Sequence, residues 1–281
     1  MSTKLAESEI LPLANDVGAL GNRINHSTRA AHNKIDKMMT IKFAIALRDP
    51  RIYRQGLQSY YHVFATIEEC LAREIARKTK WSDILQKIWK PEIARKERCE
   101  ADLLYFYDGH KEKFIEPIMS EQIKFVDHIR TVTAEKPYLL LAYMHVMYLA
   151  LFAGGRVFRS SIVKAAGLFP RKDGHSHDNF LELGGNLFTF DVEDEQLLRL
   201  IYKRDYEILT RNNLTEDEKL EIISESQLIF QRNADCISEI ERHNLEKFRG
   251  KISYQLANNS NYLLIIIVVL ILVFYGRRYF K

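Results

Sequence analysis

Apolar residues recur at helical spacing through most of the first 248 residues, and the two-residue alternation of a half-buried strand is nearly absent. In "DVGALGNRINHSTRAAHNKIDKMM" (16–39), the apolar positions Leu20, Ile24, Ala31 and Ile35 share a helical face. "RIYRQGLQSYYHVFATIEECLAREIARK" (51–78) is a long amphipathic stretch, opened by Pro50 at a position where a helix start favours proline. Helical patterns continue through 83–107, 120–133 and 138–166. A stretch rich in Gly, His, Asp and Pro, "GLFPRKDGHSHDNFLELGG", separates these from two final helices near 193–211 and 215–248. The last opens with "LTEDEKL", placing Thr215 as a cap with acidic residues in the first turn. The expected fold class is all-α.

A chain of 281 residues, 47% hydrophobic and 28% charged, has ample material for one large core. Its net charge of +4 is mild and dispersed, which argues against nucleic acid as a partner. The three cysteines, Cys70, Cys99 and Cys236, are odd in number and form no CxxC, so they read as free thiols of a reducing compartment.

The N-terminus, "MSTKLAESEILPLANDVG", lacks the basic-then-apolar pattern of a secretory signal. The other end differs sharply. "YLLIIIVVLILVFY" (262–275) contains no charge and is followed by "GRRYFK". Fourteen helical residues span about 21 Å against a hydrocarbon core of about 30 Å. Counting to Phe280 gives about 28 Å when Arg277 and Arg278 reach the far interface. Basic residues flank both sides, so orientation rests on the missing signal and the short tail. The expected organisation is an N-terminal extension (1–16), a single helical domain (17–248), a linker (249–261) and a C-terminal transmembrane tail anchor (262–280). The main domain is expected to face the cytosol from the endoplasmic reticulum membrane, with the mitochondrial outer membrane as the alternative.

Three features could carry chemistry. Gly154 and Gly155 stand in "YLALFAGGRVF" inside a helical pattern, where each costs roughly 1 kcal/mol relative to alanine. With Ala150 and Ala153 they make a stripe of small residues that permits close helix packing or a helix laid against a flat ligand. His32, in "TRAAHNKID", has Asp36 one turn further on, where a carboxylate can orient an imidazole as a metal ligand. His26 lies about 120° away around the helix, too far to share an ion with it. Arg199 and Lys203 lie at i and i+4 and can hold two carboxylates side by side, or form a solvated basic face.

Taken together, these segments resemble the haem oxygenase family, fungal members most closely, over about residues 17–245. "TRAAHNKID" is similar to the family's proximal-helix motif, which makes His32 the candidate axial ligand. "YLALFAGGRVF" resembles its distal helix, whose glycines let backbone pass over the haem; the resemblance marks Ala150, Leu151, Gly154 and Gly155 as catalytic-wall residues. "LFTF" (187–190), followed by Arg199 and Lys203, looks like the segment that meets the haem propionates, and Phe230 and Asn233 in "FQRN" match part of the last pocket helix. The implied fold is a single helical domain with haem between a proximal and a distal helix, plus the transmembrane tail.

Departures from the family pattern cluster in one place. The family's distal "LGDLSGG" has a glycine and an aspartate where this chain has Ala150 and Leu151. A supporting tyrosine corresponds to Phe64 and a distal arginine to Met147. Three polar members have become apolar together, so any proton relay falls to water ordered by backbone near Ala150–Gly154. A basic propionate partner appears as Asn25, with Arg23 and Arg29 as neighbouring substitutes, and a tyrosine appears as His145, still able to donate to a propionate.

The resemblance implies an oxidoreductase that degrades haem b, at once cofactor and substrate, to biliverdin, carbon monoxide and free iron. It implies O2 and electrons from NADPH through a cytochrome P450 reductase-like flavoprotein. The apolar wall keeps open a membrane-anchored haem-binding or sensor protein, or a peroxidase-like haem protein, without oxygenase turnover. A tail-anchored helical adaptor would need a clean heptad seam, which residues 215–258 do not keep.

Overall fold

The computed structural model describes residues 12–13, 15–116, 119–165, 168–169 and 183–245. The expected linker and tail anchor, most of the N-terminal extension and most of the 167–185 loop lie outside the described residues.

The described residues are helical and contain no strand. Helix α1 (Leu20–Ala46) leads through a short turn into α2 (Pro50–Ala76). Pro50 takes its place in the first turn of α2, and the Asp49 side chain caps it by accepting from the Arg51 N–H at 3.0 Å. Helices α3 (Lys80–Ile88), α4 (Lys96–Phe106) and α5 (Ser120–Glu135) follow. A composite helix then runs through α6 (Leu140–Tyr143), a π-helical segment (Met144–Tyr148) and α7 (Leu149–Val163). Last come α8 (Glu195–Asn213) and α9 (Glu216–His243). Thr215 and Glu218 form a reciprocal capping box at the start of α9, as the sequence suggested.

Two differences from the sequence reading have local causes. The pattern over 83–107 is two helices, because Pro91 cannot donate to the preceding turn and Lys90 before it is extended, giving a 3-10 turn at Pro91–Ile93. The first helix continues past residue 39 to Ala46, since Phe43 and Ala46 keep its inward face apolar.

Helix α2 is the axis of the core. It packs against α4, α5 and α3 and buries residues from Ile52 to Glu74. Helix α9 packs along α1, so α1, α2 and α9 form three sides of a trough that the composite helix covers. The span Pro137–Val163 is long and apolar enough to cross a membrane, but most of its apolar stretch is buried inside this fold. All three cysteines are buried and free, as expected.

Candidate functional site

The trough encloses a cleft of about 530 Å³, within the usual range for small-molecule sites of about 300–1,000 Å³. Helix α1 supplies one wall through Ile24, Thr28, His32, Ile35, Met39 and Phe43, spaced three or four residues apart so that they form one stripe. His32 stands in this largely apolar stripe with its side chain exposed to the cleft. Its ring meets Phe230 of α9 edge-on, centroids 6.0 Å apart. The expected orienting carboxylate is not used: among the described residues, no hydrogen bond joins His32 to Asp36, and the Asp36 side chain is exposed.

The π segment and α7 form the facing wall through Met147, Ala150, Leu151 and Ala153. The small side chains of Ala150 and Ala153 leave room there. Phe64, Met147 and Leu151 are 2%, 6% and 9% exposed, so the wall is dry. The Asn233 amide contacts the Met147 sulfur at 3.4 Å and donates to the Ile229 carbonyl at 2.8 Å. In this structure Gly154 and Gly155 lie beside the cleft rather than in its wall. A Cβ on Gly154 would meet the Phe158 ring at 3.0 Å, and one on Gly155 would meet the Phe188 carbonyl at 3.3 Å. Phe158 itself lines the cleft, packed on Phe43 and Phe188 with centroids at 4.6 and 5.1 Å.

Arg29, Arg199 and Lys203 line the cleft, Lys203 at the end where His145 stands, and Lys42 lines it while paired with Glu241. Arg23, offered as a fourth, does not: its guanidinium is taken by Glu216 at the start of α9, in a bidentate pair. That expectation is corrected, because a nearby carboxylate on another helix offers the guanidinium its preferred geometry. His145 places its Nε2 3.1 Å from the Asn25 side-chain oxygen, an N–H donating to an amide. Burial, aided by Lys203, pushes its pKa down to about 4, so the ring is neutral, and its buried Nδ1 has no protein partner. A Cβ on Gly21 would come within 3.1 Å of this ring, so Gly21 and Asn25 together seat His145 against α1.

Sequence reasoning missed the grip beneath the cleft. Arg95 is fully buried and donates to the carbonyls of Ile93, Glu92, Leu187 and Thr189, with its guanidinium 4.2 Å from the Phe190 ring centroid. Asp102, two turns along α4, accepts from the Asn186 and Leu187 N–H groups of the same turn. These two side chains fix the Asn186–Phe188 turn whose side chains Leu187 and Phe188 floor the cleft. Their spacing of i and i+7 was visible in the sequence, but the turn they jointly hold lies more than 80 residues away.

The donor set fits a flat, anionic metal macrocycle. Among the described residues no cluster of three or more His, Cys, Asp or Glu could hold a bare ion, whereas one imidazole suffices for a metal already held by a ring. The apolar walls suit the ring's faces, and the cations suit carboxylates at its edge. Fold and cleft thus define an all-helical protein with a mostly apolar small-molecule site walled by helices. The chain belongs to the haem oxygenase family, whose profile it matches over residues 18–239. Among its relatives is a Saccharomyces cerevisiae protein described as heme-binding protein HMX1, 37% identical over 268 residues, covering 89% of this chain and 84% of the relative. The heme oxygenase of Guillardia theta is 24% identical over 243 residues, covering 86% and 94%. The fold is shared with heme oxygenase 2 from Chlamydomonas reinhardtii, solved without heme (TM-score 0.69, 18% identity, 79% of this chain and 97% of that one). It is shared equally with heme oxygenase-2 from Synechocystis, solved with heme and NO (TM-score 0.66, 22% identity, 80% and 86%).

Proposed function

We propose that this chain is a haem oxygenase, binding haem in the cleft and converting it with O2 and reductase-supplied electrons to biliverdin, carbon monoxide and free iron. The observation that carries this reading is that His32, the Ala150–Leu151 segment and the cations Arg29, Arg199 and Lys203 line one cleft. When bound, haem supplies an iron centre that activates oxygen beside the ring it will open. The chain's own residues do the rest. His32 would supply the imidazole that holds the group's iron, and Phe230, edge-on to it, restrains the tilt of the imidazole. Arg29, Arg199 and Lys203 pair with the two carboxylates and so choose the ligand's in-plane orientation. Ala150 and Ala153 keep the second face open, while Phe64, Met147 and Leu151 exclude bulk water and limit proton supply to backbone-ordered water.

That dry wall favours one second reading: a protein that holds haem without turning it over, in the manner that the yeast relative's description as heme-binding suggests. A single assay separates the two. Haem-loaded protein is mixed with NADPH and a cytochrome P450 reductase, and biliverdin and carbon monoxide are followed. Stoichiometric biliverdin supports oxygenase turnover; a persistent haem spectrum without biliverdin supports binding alone. In either case His32→Ala should lose the axial-imidazole spectrum and regain it with added imidazole, while His26→Ala keeps it. An unchanged spectrum in His32→Ala without imidazole refutes the ligand assignment. The membrane tail at 262–280, the endoplasmic reticulum and the reductase partner belong to the same proposal. Truncation before Asn258 should then release a soluble domain that still takes up haem.

A further inference from the structure

The wall opposite His32 hangs on one turn of π-helix. Met144–Tyr148 adds a residue between α6 and α7, and such an insertion turns everything downstream by about 100° relative to an uninterrupted α-helix. That rotation decides which α7 side chains face the cleft. The Met144 N–H still bonds back to the carbonyls of Leu140 and Leu141, the ordinary α and 3-10 partners, so the change of register begins after it, within Met144–Tyr148.

Two tyrosines one turn apart on α8 meet carbonyls at and just before this turn. Tyr202 donates its hydroxyl to Met144 O at 2.8 Å, and Tyr206 donates to Leu141 O at 3.1 Å. Both rings are buried, and burial raises both phenols above their ordinary pKa, so both stay protonated donors. A phenylalanine would fill the same space; the hydroxyl is needed only because a carbonyl waits for it. We propose that Tyr202, supported by Tyr206, is a positioning residue that holds the π register and thereby sets the wall over the ligand. Arg199 and Lys203 lie on the same helix, so one rigid element both grips the ligand's carboxylates and fixes the wall above its face. The functional consequence rests on reading the cleft as a haem site.

The test uses Tyr202→Phe, with Tyr206→Phe as a second variant should the first fail to fold. Tyr61→Phe is the control, since its hydroxyl contacts Glu100 at 3.3 Å away from the cleft. Amide hydrogen exchange on the haem-free protein comes first. Residues 146–151 should exchange about tenfold faster in Tyr202→Phe, the factor expected from losing one hydrogen bond, and at the wild-type rate in Tyr61→Phe. Equal protection in all three proteins overturns the proposal. The second measurement is carbon monoxide release from the ferrous haem complex. It should change several-fold in Tyr202→Phe but not in Tyr61→Phe, at comparable haem affinity; an unchanged rate overturns the link to the wall. Should the wild type take up no haem, the proposed function fails, and the exchange measurement still decides whether the tyrosines hold the register.

Discussion

Asp102 should make this protein less stable as pH rises toward neutrality. The carboxylate is wholly buried on α4 and accepts from Asn186 N–H at 2.9 Å, the Asn186 side-chain amide at 2.8 Å and Leu187 N–H at 2.9 Å. Burial outweighs these bonds and the attraction of Arg98, and pushes its pKa from 3.8 up to about 7. Between those two values the folded protein keeps a proton that the unfolded chain has released. Stability therefore falls as pH rises through that window and levels off above about 7. The slope inside the window is about 1.4 kcal/mol per pH unit, so roughly three units amount to about 4 kcal/mol. Asp102→Asn keeps the shape and abolishes the titration. Subtracting the variant's unfolding free energy from the wild type's isolates this carboxyl, because the carboxyls of half-buried Glu68 and buried Glu207, also raised, cancel. The assay is urea unfolding of haem-free protein followed by far-ultraviolet circular dichroism, at half-unit steps from pH 5 to 8.5. Relative to Asp102→Asn, the wild type should lose about 1.4 kcal/mol per unit up to about pH 7 and then run flat. Parallel curves refute the reasoning. A wild type that gains stability with pH would show that the three bonds, not burial, dominate.

Gly155→Val should cost about 1–3 kcal/mol by overpacking against the Phe188 carbonyl, whereas Gly155→Ala needs only a few tenths of an ångström of relief; urea midpoints separate them. Leu151→Asp places a carboxyl beside Phe64 and Met147, where desolvation raises its pKa; the variant should be less stable, increasingly so at higher pH, and should form biliverdin no faster than wild type. Faster turnover would show that the wall lacks only an acid. Arg23→Ala should leave haem affinity unchanged and cost under about 1 kcal/mol, since its pair with Glu216 is partly exposed, while reversing Arg199 and Lys203 together to Glu should weaken haem uptake.

Helices and their order were legible because their causes are local. The three-and-four spacing of α1, Pro50 and Asp49 at the start of α2, and Thr215 with Glu218 at the start of α9 each act within a few residues of themselves. His32 was legible through its motif and the order of the motifs around it, which pointed to the family; Asp36 one turn on, the other signal, is left unused in the fold. Pro91 acts just as locally, its missing N–H dividing α3 from α4.

Tertiary structure alone decided where the polar groups point. Arg23 and Arg29 look equivalent in sequence, yet one is drawn to Glu216, 193 residues away, and the other lines the cleft. His145 meets Asn25 across 120 residues, and Arg95 meets Thr189 across 94. The π turn carries no local signature, because an apolar run such as "LLAYMHVMYLA" accepts either register. Its choice depends on whether two tyrosines from a distant helix arrive to meet the carbonyl of Met144 and that of Leu141 just before it. Helical periodicity is a property of neighbouring residues, whereas the partner of a buried donor or acceptor is settled only when separate helices pack and water leaves the space between them.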